Sequence, residues 1–490
     1  MALSLQTNRA LQPRDYQRRA LDLTYEWFAE HDTGNPCVVM PTGSGKSLVI
    51  SMFAMDALTN WPETRILVLA HVKELLIQNA EKLATIWPSA PFGMCSASIG
   101  QRNFHEPITF AGIQTIWKHA GRVGHVDIVI VDEAHSISHT ATGQYRTFLA
   151  ELQAINPALR VVGFTATPYR LGHGMIHEGE DALFCDLIEP VSIADLIEAG
   201  HLAPLRSKLT DQAIDVSGVA KRGGEFVAGD LERAVDKSEL TSAIVAETLR
   251  RAEHCRHMLF FCTGVDHAEH MADELRANGV AAECVHGGTP AGARAQYIDG
   301  LRTGRLRALT NANVLTTGTD IPAIDCVVFA RPTLSPGLYV QMAGRGMRIK
   351  QHADHCLVLD FSGNVARHGP ITSVIPPSRR RKGEGDAPTK SCPECSEIMG
   401  ASARQCPACG FVFPVDPKPP EPIRLHNDDI MGIAPSEMRV TGWRWRKHVS
   451  RTSGKPMLAV TYYGGLVNDV TEYIAVTHEG MAGNRARHTV

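Results

Sequence analysis

Two short runs of this chain carry the residue types that phosphate chemistry requires. The first, residues 41–47, reads Pro-Thr-Gly-Ser-Gly-Lys-Ser, and the second, residues 131–135, reads Val-Asp-Glu-Ala-His. Glycines let a backbone curl so that its N–H groups point at phosphate oxygens, and a helix that opens there adds its positive end. The first run therefore predicts a site for a triphosphate and its Mg²⁺, with Ser47 as a metal ligand. Its residues are Pro41, Thr42, Gly43, Ser44, Gly45, Lys46 and Ser47.

The second run ends a β-branched segment, as expected for a buried parallel strand. Asp132 would lie where such a strand ends, and open α/β sheets bind their ligands at that edge. We expect Asp132 to hold Mg²⁺ with Ser47 and Glu133 to orient and deprotonate a water molecule. Positioning and charge stabilisation suffice for phosphoryl transfer. Alone, the first run could be an ordinary strand–turn–helix, and the second a solvated strand end. Met40 also stands where the full P-loop pattern has its first glycine.

A third group of polar residues lies far along the chain. Gln341, Arg345 and Arg348 are spaced i, i+4, i+7, which predicts that they share one face of a helix. Gly344 and Gly346 flank the first arginine, and a glycine costs about 1 kcal/mol inside a helix, so they indicate a packing or functional reason and suit close approach to a phosphate. We assign Gln341 as a catalytic residue and Arg345 and Arg348 as arginine fingers, which stabilise charge during phosphoryl transfer. The alternative is a solvent-facing basic helix, which leaves the glycines unexplained.

Strand-like and helix-like segments alternate over two successive regions, residues 1–198 and 199–373. Such alternation is typical of parallel sheets flanked by helices. The first region holds the two phosphate-type runs, and the second holds the arginines. The nucleotide is therefore expected in a cleft between two α/β domains, so that hydrolysis opens and closes the cleft.

The order of these runs resembles superfamily 2 helicases and translocases. Asp132–His135 is similar to their DEAH box, and Arg14–Gln17 is similar to the element whose glutamine recognises adenine. Further motifs of the superfamily have counterparts here. In the order Ia, Ib, III, V and VI, they are resembled by residues 70–75, 112–115, 165–168, 316–322 and 341–348. The match spans roughly residues 11–361 and implies two tandem RecA-like parallel-sheet domains that bind ATP and Mg²⁺.

The resemblance also implies roles for single residues. Those implied for ATP binding beyond the phosphate loop are Arg14, Gln17, Gly318 and Asp320. Those implied for coupling between the two domains are His135, Thr165 and Thr167. Those implied for nucleic-acid contact are His71, Lys73, Gln114, Thr115, His286 and Thr316.

The twelve cysteines fall into two groups. Eight are scattered, several of them in apolar runs, and are expected to be reduced thiols in the core. The other four form two C-x-x-C pairs, which predict a tetrahedral zinc site. A redox dithiol needs only one pair, and an iron centre of rubredoxin type would use the same ligands. The four ligands are Cys392, Cys395, Cys406 and Cys409.

The region after residue 373 is expected to hold small modules and spacers. We predict a basic linker at 374–391, a zinc knuckle at 392–413, a Pro-rich spacer at 414–424 and a β-rich module at 425–490. The expected role of the β-rich module is to bind a partner or nucleic acid. In that module Trp443 and Trp445 would share one strand face, as a platform for single-stranded nucleic acid or as its core. Earlier in the chain, the polar stretch at 211–238, which contains Lys221–Gly224, is expected to be a plain solvated loop or a loop at the nucleic-acid face.

Composition bounds the remaining choices. The chain has 490 residues, 44% of them apolar and 21% charged, with a net charge of −3. It has no apolar run of the roughly 20 residues that cross a bilayer and no secretory pattern near its start, which indicates a cytoplasmic protein without membrane contact. A net charge near zero leaves nucleic-acid binding to local basic patches.

The succession of helicase core, four-cysteine knuckle and Trp-containing module is similar to RadD-type DNA repair helicases of bacteria and phages. That resemblance implies a DNA-dependent ATPase acting on single-stranded or forked DNA, contact with a single-strand DNA-binding protein, and a monomer. Thr319 stands where an aromatic residue is common in such motifs. The alternatives are an RNA helicase, a motor subunit of a restriction or nuclease complex, and a scaffold without enzyme activity.

Overall fold

Two parallel β-sheets, one after the other in the chain, form the framework of this computed structural model. The structure describes residues 12–137, 142–170, 174–179, 181–316, 321–374, 389–414, 440–449, 456–463 and 469–474. The chain divides into two compact units, Met1–Val415 and Asp416–Val490. The first unit contains both parallel sheets and the four-cysteine region.

The first sheet has eight strands in the order β10-β1-β7-β6-β2-β5-β3-β4, and only the pairing of β3 with β4 is antiparallel. Its strands are β1 (Pro36–Val39), β2 (Ile66–Ala70), β3 (Phe92–Ser96), β4 (Gln101–Arg102), β5 (Ile108–Gly112), β6 (Ile128–Asp132), β7 (Arg160–Thr165) and β10 (Asp186–Ile188). A separate short hairpin joins β8 (Tyr169–Arg170) to β9 (Gly174–Met175). The helices are α1 (Asp15–Glu30), α2 (Lys46–Asn60), α3 (Lys73–Ile86), α4 (Ile113–Ile116), α5 (Ala120–Val123), α6 (Gln144–Ile155) and α7 (Ile193–Glu198), with a 3₁₀ turn at Ala134–Ser136.

Both faces of this sheet are buried, which explains its unbroken apolar strands. Along β2, Ile66, Val68 and Ala70 pack into one hydrophobic core, and Leu67 and Leu69 pack into the other. Because every side chain of the central strands is covered by helices, polar groups collect at the strand ends. The functional residues are found there.

The second sheet has six parallel strands in the order β11-β18-β17-β14-β16-β15. Its strands are β11 (Leu205–Lys208), β14 (Met258–Phe261), β15 (Ala282–Val285), β16 (Ala308–Asn311), β17 (Cys326–Phe329) and β18 (Cys356–Asp360). The helices are α8 (Ala228–Val235), α9 (Ser238–Arg251), α10 (Val265–Ala277), α11 (Ala291–Thr303), α12 (Pro336–Gly344) and α13 (Asn364–His368), with a 3₁₀ turn at Ile371–Ser373. The prediction of two tandem RecA-like domains is confirmed.

The segment that the sequence predicted to be a loop, around Lys221–Gly224, is ordered. It forms an antiparallel hairpin of β12 (Lys221–Arg222) and β13 (Glu225–Phe226), which leads directly into α8. The expected exposure to solvent is found at these four residues, but they form a hairpin and not an irregular loop. Phe226 is buried and anchors the hairpin in the core of the second domain.

The four-cysteine region packs against the second domain. It contains an antiparallel pair, β19 (Thr389–Ser391) and β20 (Ile398–Gly400), so residues 389–391 belong to this small module and not to the predicted linker. Lys208 of β11 forms an antiparallel bridge with Glu397. The rest of the predicted basic linker, from residue 375 to 388, and the Pro-rich spacer beyond residue 414 lie outside the described residues.

The second unit is described as a three-stranded antiparallel sheet. Its strands are β21 (Gly442–Val449), β22 (Pro456–Tyr463) and β23 (Asp469–Ile474). Trp443 is 65% exposed and Trp445 is 59% exposed, so within the described part of this unit they are not core residues. The structure holds no described helix long and apolar enough to cross a membrane.

Candidate active site

The glycine-rich loop between β1 and α2 is held in place by α1. Gly43 and Gly45 both have φ of +85°, a conformation that side chains disfavour. A Cβ at Gly45 would also lie 2.5 Å from Nε2 of Gln17. The hydroxyl of Tyr16 and the amide of Gln17 each donate a hydrogen bond of 2.9 Å to the carbonyl of Ser44. The predicted adenine-recognition element thus supports the phosphate loop directly.

A cavity of about 420 Å³ lies between the two parallel-sheet domains of the first unit. It brings together most of the predicted ATP-site residues, from both domains. Those that line it are Arg14, Gln17, Thr42, Gly43, Ser44, Gly45, Lys46, Ser47, Asp132, Glu133, Arg345 and Arg348. Pro41 borders a different cavity instead, and Gly318 and Asp320 lie outside the described residues.

The two carboxylates after β6 lie in contrasting environments. Burial and the neighbouring Glu133 raise the pKa of Asp132 to about 6, and Asn79 donates to its Oδ2 at 2.9 Å. Burial alone would raise the pKa of Glu133 too, but Lys46, His135 and Arg345 outweigh it and leave that pKa below its usual value. Nζ of Lys46 lies 3.9 Å from Oε1 of Glu133. Glu133 therefore stays ionised and can accept a proton from water.

A chain of three polar side chains crosses from one domain to the other. Nδ1 of His135 lies 2.8 Å from Oγ1 of Thr165, and Nε2 of Gln341 lies 3.1 Å from Nε2 of His135. The Thr165 hydroxyl also accepts from the backbone N–H of Thr167 at 3.1 Å. The structure thus joins the three predicted coupling residues to Gln341, a residue predicted to be catalytic that does not line the cavity.

The helix that carries Gln341 is shorter than predicted. α12 ends at Gly344, Arg345 is its C-cap, and Arg348 lies beyond it. The expectation that all three polar residues share one helix face was therefore wrong, because the chain tightens at the cap, where the N–H of Gly346 bonds to Ala343 three residues back. Both arginines still line the cavity.

Gly344 is required by close contact between the domains. A Cβ at this position would lie 2.7 Å from Cβ of Thr42 in the phosphate loop, a distance that real side chains do not reach. The backbone at the end of α12 therefore packs directly against the side chain of Thr42. This contact brings Arg345 to the cavity, where its Nη2 also donates to the carbonyl of Thr316 at 2.6 Å.

The residues implied for nucleic-acid contact fall in three places. Four of them line one cavity of about 640 Å³ at the carboxyl ends of β2, β3 and β5, namely His71, Lys73, Gln114 and Thr115. Thr316 instead accepts the Arg345 bond described above. His286 lies in the second domain, where its Nε2 is 3.6 Å from Oε1 of Glu269.

Sequence reasoning missed several residues at these sites. Asn79 holds Asp132, and only the fold shows this, because Asn79 lies on a different helix, α3. Arg102 and Arg122 line the 640 Å³ cavity. No sequence signal marks these two arginines, because each is an isolated cation in the chain. Burial lowers the pKa of His71, despite the nearby Glu133, so this residue is a neutral lining group.

Two family models match the chain in this order. Residues 10–170 match "Type III restriction enzyme, res subunit", and residues 239–350 match "Helicase conserved C-terminal domain". The chain is a superfamily 2 helicase. The first match covers the phosphate loop and the carboxylates, and the second covers the arginines, so the two halves meet at the cavity.

Curated relatives of this superfamily 2 helicase carry helicase and restriction names. "Putative ATP-dependent helicase IRC3" of Saccharomyces cerevisiae is 26% identical over 361 residues, covering 71% of this chain and 51% of that protein. The "51.5 kDa protein" of Lactococcus phage isolate 7-9 is 28% identical, covering 77% of this chain and 78% of that protein. The chain spans about half the length of the yeast relative. Together the family models and relatives support an ATP-hydrolysing enzyme of the helicase class.

Among solved structures, the likeness shows the fold. A fragment assigned as the HsdR subunit of a type I restriction enzyme from Vibrio vulnificus YJ016 has a TM-score of 0.56 at 21% identity, covering 74% of this chain and 67% of that chain. The Type ISP restriction-modification enzyme LlaBIII bound to DNA has a TM-score of 0.52 at 15% identity, covering 76% of this chain and 28% of that chain.

The cavity of the helicase fits ATP and Mg²⁺. Oγ of Ser44 is buried in the phosphate loop without a hydrogen-bond partner in the structure, and three cations, Lys46, Arg345 and Arg348, face the same space. Ser47 and Asp132 supply a hydroxyl and a carboxylate, the oxygen ligands that Mg²⁺ prefers. A bound Mg²⁺ neutralises phosphate charge.

The four predicted metal ligands also come together. Sγ of Cys392 lies 3.6 Å from Sγ of Cys409, and the sulfurs of Cys395 and Cys406 are 3.6 Å apart. Zinc–sulfur bonds of about 2.3 Å in a tetrahedron place the sulfurs about 3.8 Å apart, so the cluster fits zinc. Burial would raise the pKa of Cys406, but backbone N–H groups of Cys409 and Ala408 lower it to about 7.

Proposed function

We propose that this chain is a DNA-dependent ATPase that moves along DNA. The observation that carries the proposal is the shared cavity, in which Lys46 and Glu133 of the first domain face Arg345 and Arg348 of the second. A nucleotide bound there contacts both domains, so its hydrolysis changes how they pack against each other.

The residues have distinct roles in the proposed hydrolysis. Glu133 takes a proton from a water molecule, whose oxygen forms a bond to the γ-phosphorus of ATP, and the bond from that phosphorus to the β-phosphate oxygen breaks. Lys46 binds the β- and γ-phosphates, and Arg345 and Arg348 stabilise the charge that develops on the transferred group. Ser47 and Asp132 hold Mg²⁺. Arg14 and Gln17, which also line the cavity, are proposed to contact the adenine of the nucleotide.

The nucleic-acid strand is proposed to cross the carboxyl edge of the first sheet. The 640 Å³ cavity there holds two arginines, Arg102 and Arg122, beside Lys73, and their charge suits phosphates. Gln114 and Thr115 supply polar contacts, and Gln114 is already fixed by a 3.0 Å bond to the carbonyl of His71. Glu74 next to Lys73 lies 3.4 Å from Nη1 of Arg294, which links this edge to the second domain.

DNA is favoured over RNA as the ligand because the family model that matches the first domain is named for a restriction enzyme. That model covers residues 10–170, which include both the phosphate loop and most of the proposed strand-binding edge. A type I restriction endonuclease subunit of Escherichia coli is also similar, at 23% identity over 71% of this chain. RNA helicases are similar at 22% identity or less, over 63% of this chain or less.

The test is ATP hydrolysis with matched single-stranded DNA, duplex DNA, forked DNA and single-stranded RNA. We expect stimulation by DNA and its loss in Lys46→Ala and in Glu133→Gln. Glu133→Gln keeps the size of the side chain and should still bind ATP, whereas Lys46→Ala should bind it weakly. Stimulation by RNA alone, or wild-type turnover in Glu133→Gln, would overturn the proposal.

A second candidate is the motor subunit of a restriction or nuclease complex. The restriction names of the family model and of the Escherichia coli relative favour it. Displacing a third strand from duplex DNA, without separating the duplex, is the result expected of such a motor. Unwinding of a fork by the chain alone supports a helicase instead.

Within the first candidate we propose a role in DNA repair, as in the RadD-type DEAH-box helicases. The described part supports this through the four-cysteine cluster, proposed to hold zinc, and the exposed Trp443 and Trp445 that follow the core. We further propose a monomeric cytoplasmic enzyme that contacts a single-strand DNA-binding protein. Co-sedimentation of the purified chain with that protein, with and without Trp443→Ala, tests the contact.

A further inference from the structure

The hairpin β12–β13 carries an exposed, positively charged tip. Gly223 and Gly224 form its turn with φ of +61° and +85°, as a two-residue hairpin turn requires. Lys221 and Arg222 precede them, and all four residues are exposed. Two exposed cations beside a glycine turn are suited to a phosphate group.

The base of the hairpin is fixed in the second domain. Phe226 is 7% exposed and packs in the same core as Val219, on the other side of the turn. Lys221 pairs with Phe226 in the hairpin, and its Nζ lies 5.7 Å from the centre of that ring. The tip therefore projects from a buried base. A bound group that displaces the tip also displaces the base.

The carboxylate at the foot of the turn binds the start of α12. Oε1 of Glu225 accepts from the N–H of Leu334 at 2.9 Å, and Oε2 accepts from the Thr333 hydroxyl at 2.5 Å and from the N–H of Ser335 at 3.2 Å. Ser335 is the N-cap of α12. A negative charge here also complements the positive end of the helix. Glu225 thus holds the first turn of α12 although it lies more than a hundred residues earlier in the chain.

The other end of α12 reaches the ATP cavity. Gln341 contacts His135 across the cleft, Gly344 lies against Thr42, and Arg345 is the cap of the helix. A helix of nine residues is rigid over its length of roughly 13 Å. A shift at Ser335 therefore moves Arg345 relative to the phosphate loop.

We propose that Lys221 and Arg222 at the hairpin tip bind a backbone phosphate of the DNA strand, and that Glu225 is a positioning residue that passes this contact through α12 to Arg345. Arg222 pairs directly with Glu225 in the hairpin, so only one residue pair separates the phosphate contact from the helix cap. The inference rests on the proposed function, because α12 matters only if the cavity hydrolyses ATP in response to DNA.

The experiment uses the full chain and measures the ATPase rate against the concentration of single-stranded DNA, at several salt concentrations. Lys221→Ala with Arg222→Ala should raise the half-stimulating DNA concentration at least fivefold. Loss of the one phosphate that these two cations neutralise should reduce the steepness of log affinity against log salt by about 0.7 for a single strand. The maximal rate at saturating DNA should also fall, because the contact that reaches Arg345 through Glu225 and α12 is absent at every DNA concentration.

Glu225→Gln tests the second half of the inference. Glutamine keeps the shape of the Glu225 side chain. Its NH₂ group replaces one of the two carboxylate oxygens and cannot accept the hydrogen bonds that this oxygen accepts from the start of α12. We expect the DNA-stimulated kcat to fall about tenfold while the half-stimulating DNA concentration stays within twofold and the melting midpoint stays near that of the wild type. A role in stability alone would lower the midpoint and leave kcat unchanged.

The matched control is Arg302→Ala with Arg305→Ala. These exposed arginines lie just before β16, at the edge of the sheet opposite the strand ends that face the cleft, and should leave every parameter unchanged. No DNA stimulation in the wild type would remove the proposed function and this inference with it. Normal stimulation, with an unchanged DNA requirement and salt slope in the tip variant, would overturn the inference alone.

Discussion

Nε2 of Gln341 in the second domain lies 3.1 Å from Nε2 of His135 in the first. The amide NH₂ of glutamine donates, so this histidine nitrogen accepts and Nδ1 carries the hydrogen. Nδ1 faces Oγ1 of Thr165 at 2.8 Å and Oε2 of Glu133 at 3.4 Å. One imidazole therefore connects the second domain to the proposed catalytic base.

This contact predicts that Gln341 and His135 act as one unit. We expect Gln341→Ala and His135→Ala each to lower DNA-stimulated ATP hydrolysis about tenfold, and the double variant to be little worse than the worse single one. Gln351→Ala, at an exposed glutamine shortly after this motif, should leave the rate unchanged. Additive losses in the double variant would show that the two side chains act separately.

A second prediction concerns the contact between α12 and the phosphate loop. Gly344→Ala places a methyl group 2.7 Å from Cβ of Thr42, so the domains cannot pack as they do here. We expect kcat to fall at least tenfold with little change in the melting midpoint, because the clash is between domains. Stopped-flow ATP hydrolysis and calorimetry give the two readouts.

Gly337→Ala is the control on the same helix. Its Cβ would meet nothing closer than 3.7 Å, an ordinary contact, so both activity and melting should match the wild type. An active Gly344→Ala variant would mean that the working enzyme does not use this close approach.

A third prediction links the four-cysteine region to the second sheet. Glu397 is 3% exposed, accepts from the N–H of Ser207 at 3.1 Å and pairs with Lys208 at 3.5 Å. Nζ of Lys208 also donates to the carbonyl of Cys395 at 2.7 Å. Because metal binding folds such a small module, losing it should release the edge strand β11.

Cys409→Ser tests this link. We expect bound zinc, measured by atomic absorption, to fall from one to none per chain, and the melting midpoint to fall by several degrees. Cys185→Ser, at an exposed cysteine outside the cluster, should change neither. Full zinc content in Cys409→Ser would show that this cysteine is not a ligand.

The strands and the cleft were predictable because their signals are local. The apolar runs that became β2, β6, β14 and β17 are buried on both faces, and short apolar runs of this kind are typical of central parallel strands. The phosphate loop was predictable for the same reason, since its glycines and Lys46 are adjacent in the chain.

Contacts between distant segments were not predictable. No residue adjacent in sequence to Glu225 indicates that its carboxylate caps a helix beginning at Pro336. Likewise, no residue adjacent in sequence to Asn79 indicates its hydrogen bond to Asp132. The end of α12 was misplaced because the spacing of its polar residues continues a helical pattern through Arg348, whereas the chain tightens after Gly344, where the N–H of Gly346 bonds to the carbonyl of Ala343.

A last prediction concerns pH and the second domain. Burial lowers the pKa of His267 in α10 to about 4, and its Nδ1 accepts from the N–H of Thr263 at 3.2 Å. In the unfolded chain the His267 imidazole is protonated below its usual pKa of 6.5, whereas in the folded protein it is protonated only below about pH 4. Stability should therefore be full above pH 6.5 and fall between pH 6.5 and about 4, by on the order of 3 kcal/mol.

His267→Gln removes this titration, so its melting midpoint should depend less on pH across that interval. His270→Gln, one turn further along α10, is the matched control with the opposite sign. The hydrogen bond of His270 to Asp236, 2.9 Å long, raises the pKa of this histidine, so its contribution is present below pH 6.5 and is lost as the pH rises through the raised value. The two variants should therefore bend the curve of midpoint against pH in opposite directions, and identical curves would contradict the burial of a neutral His267.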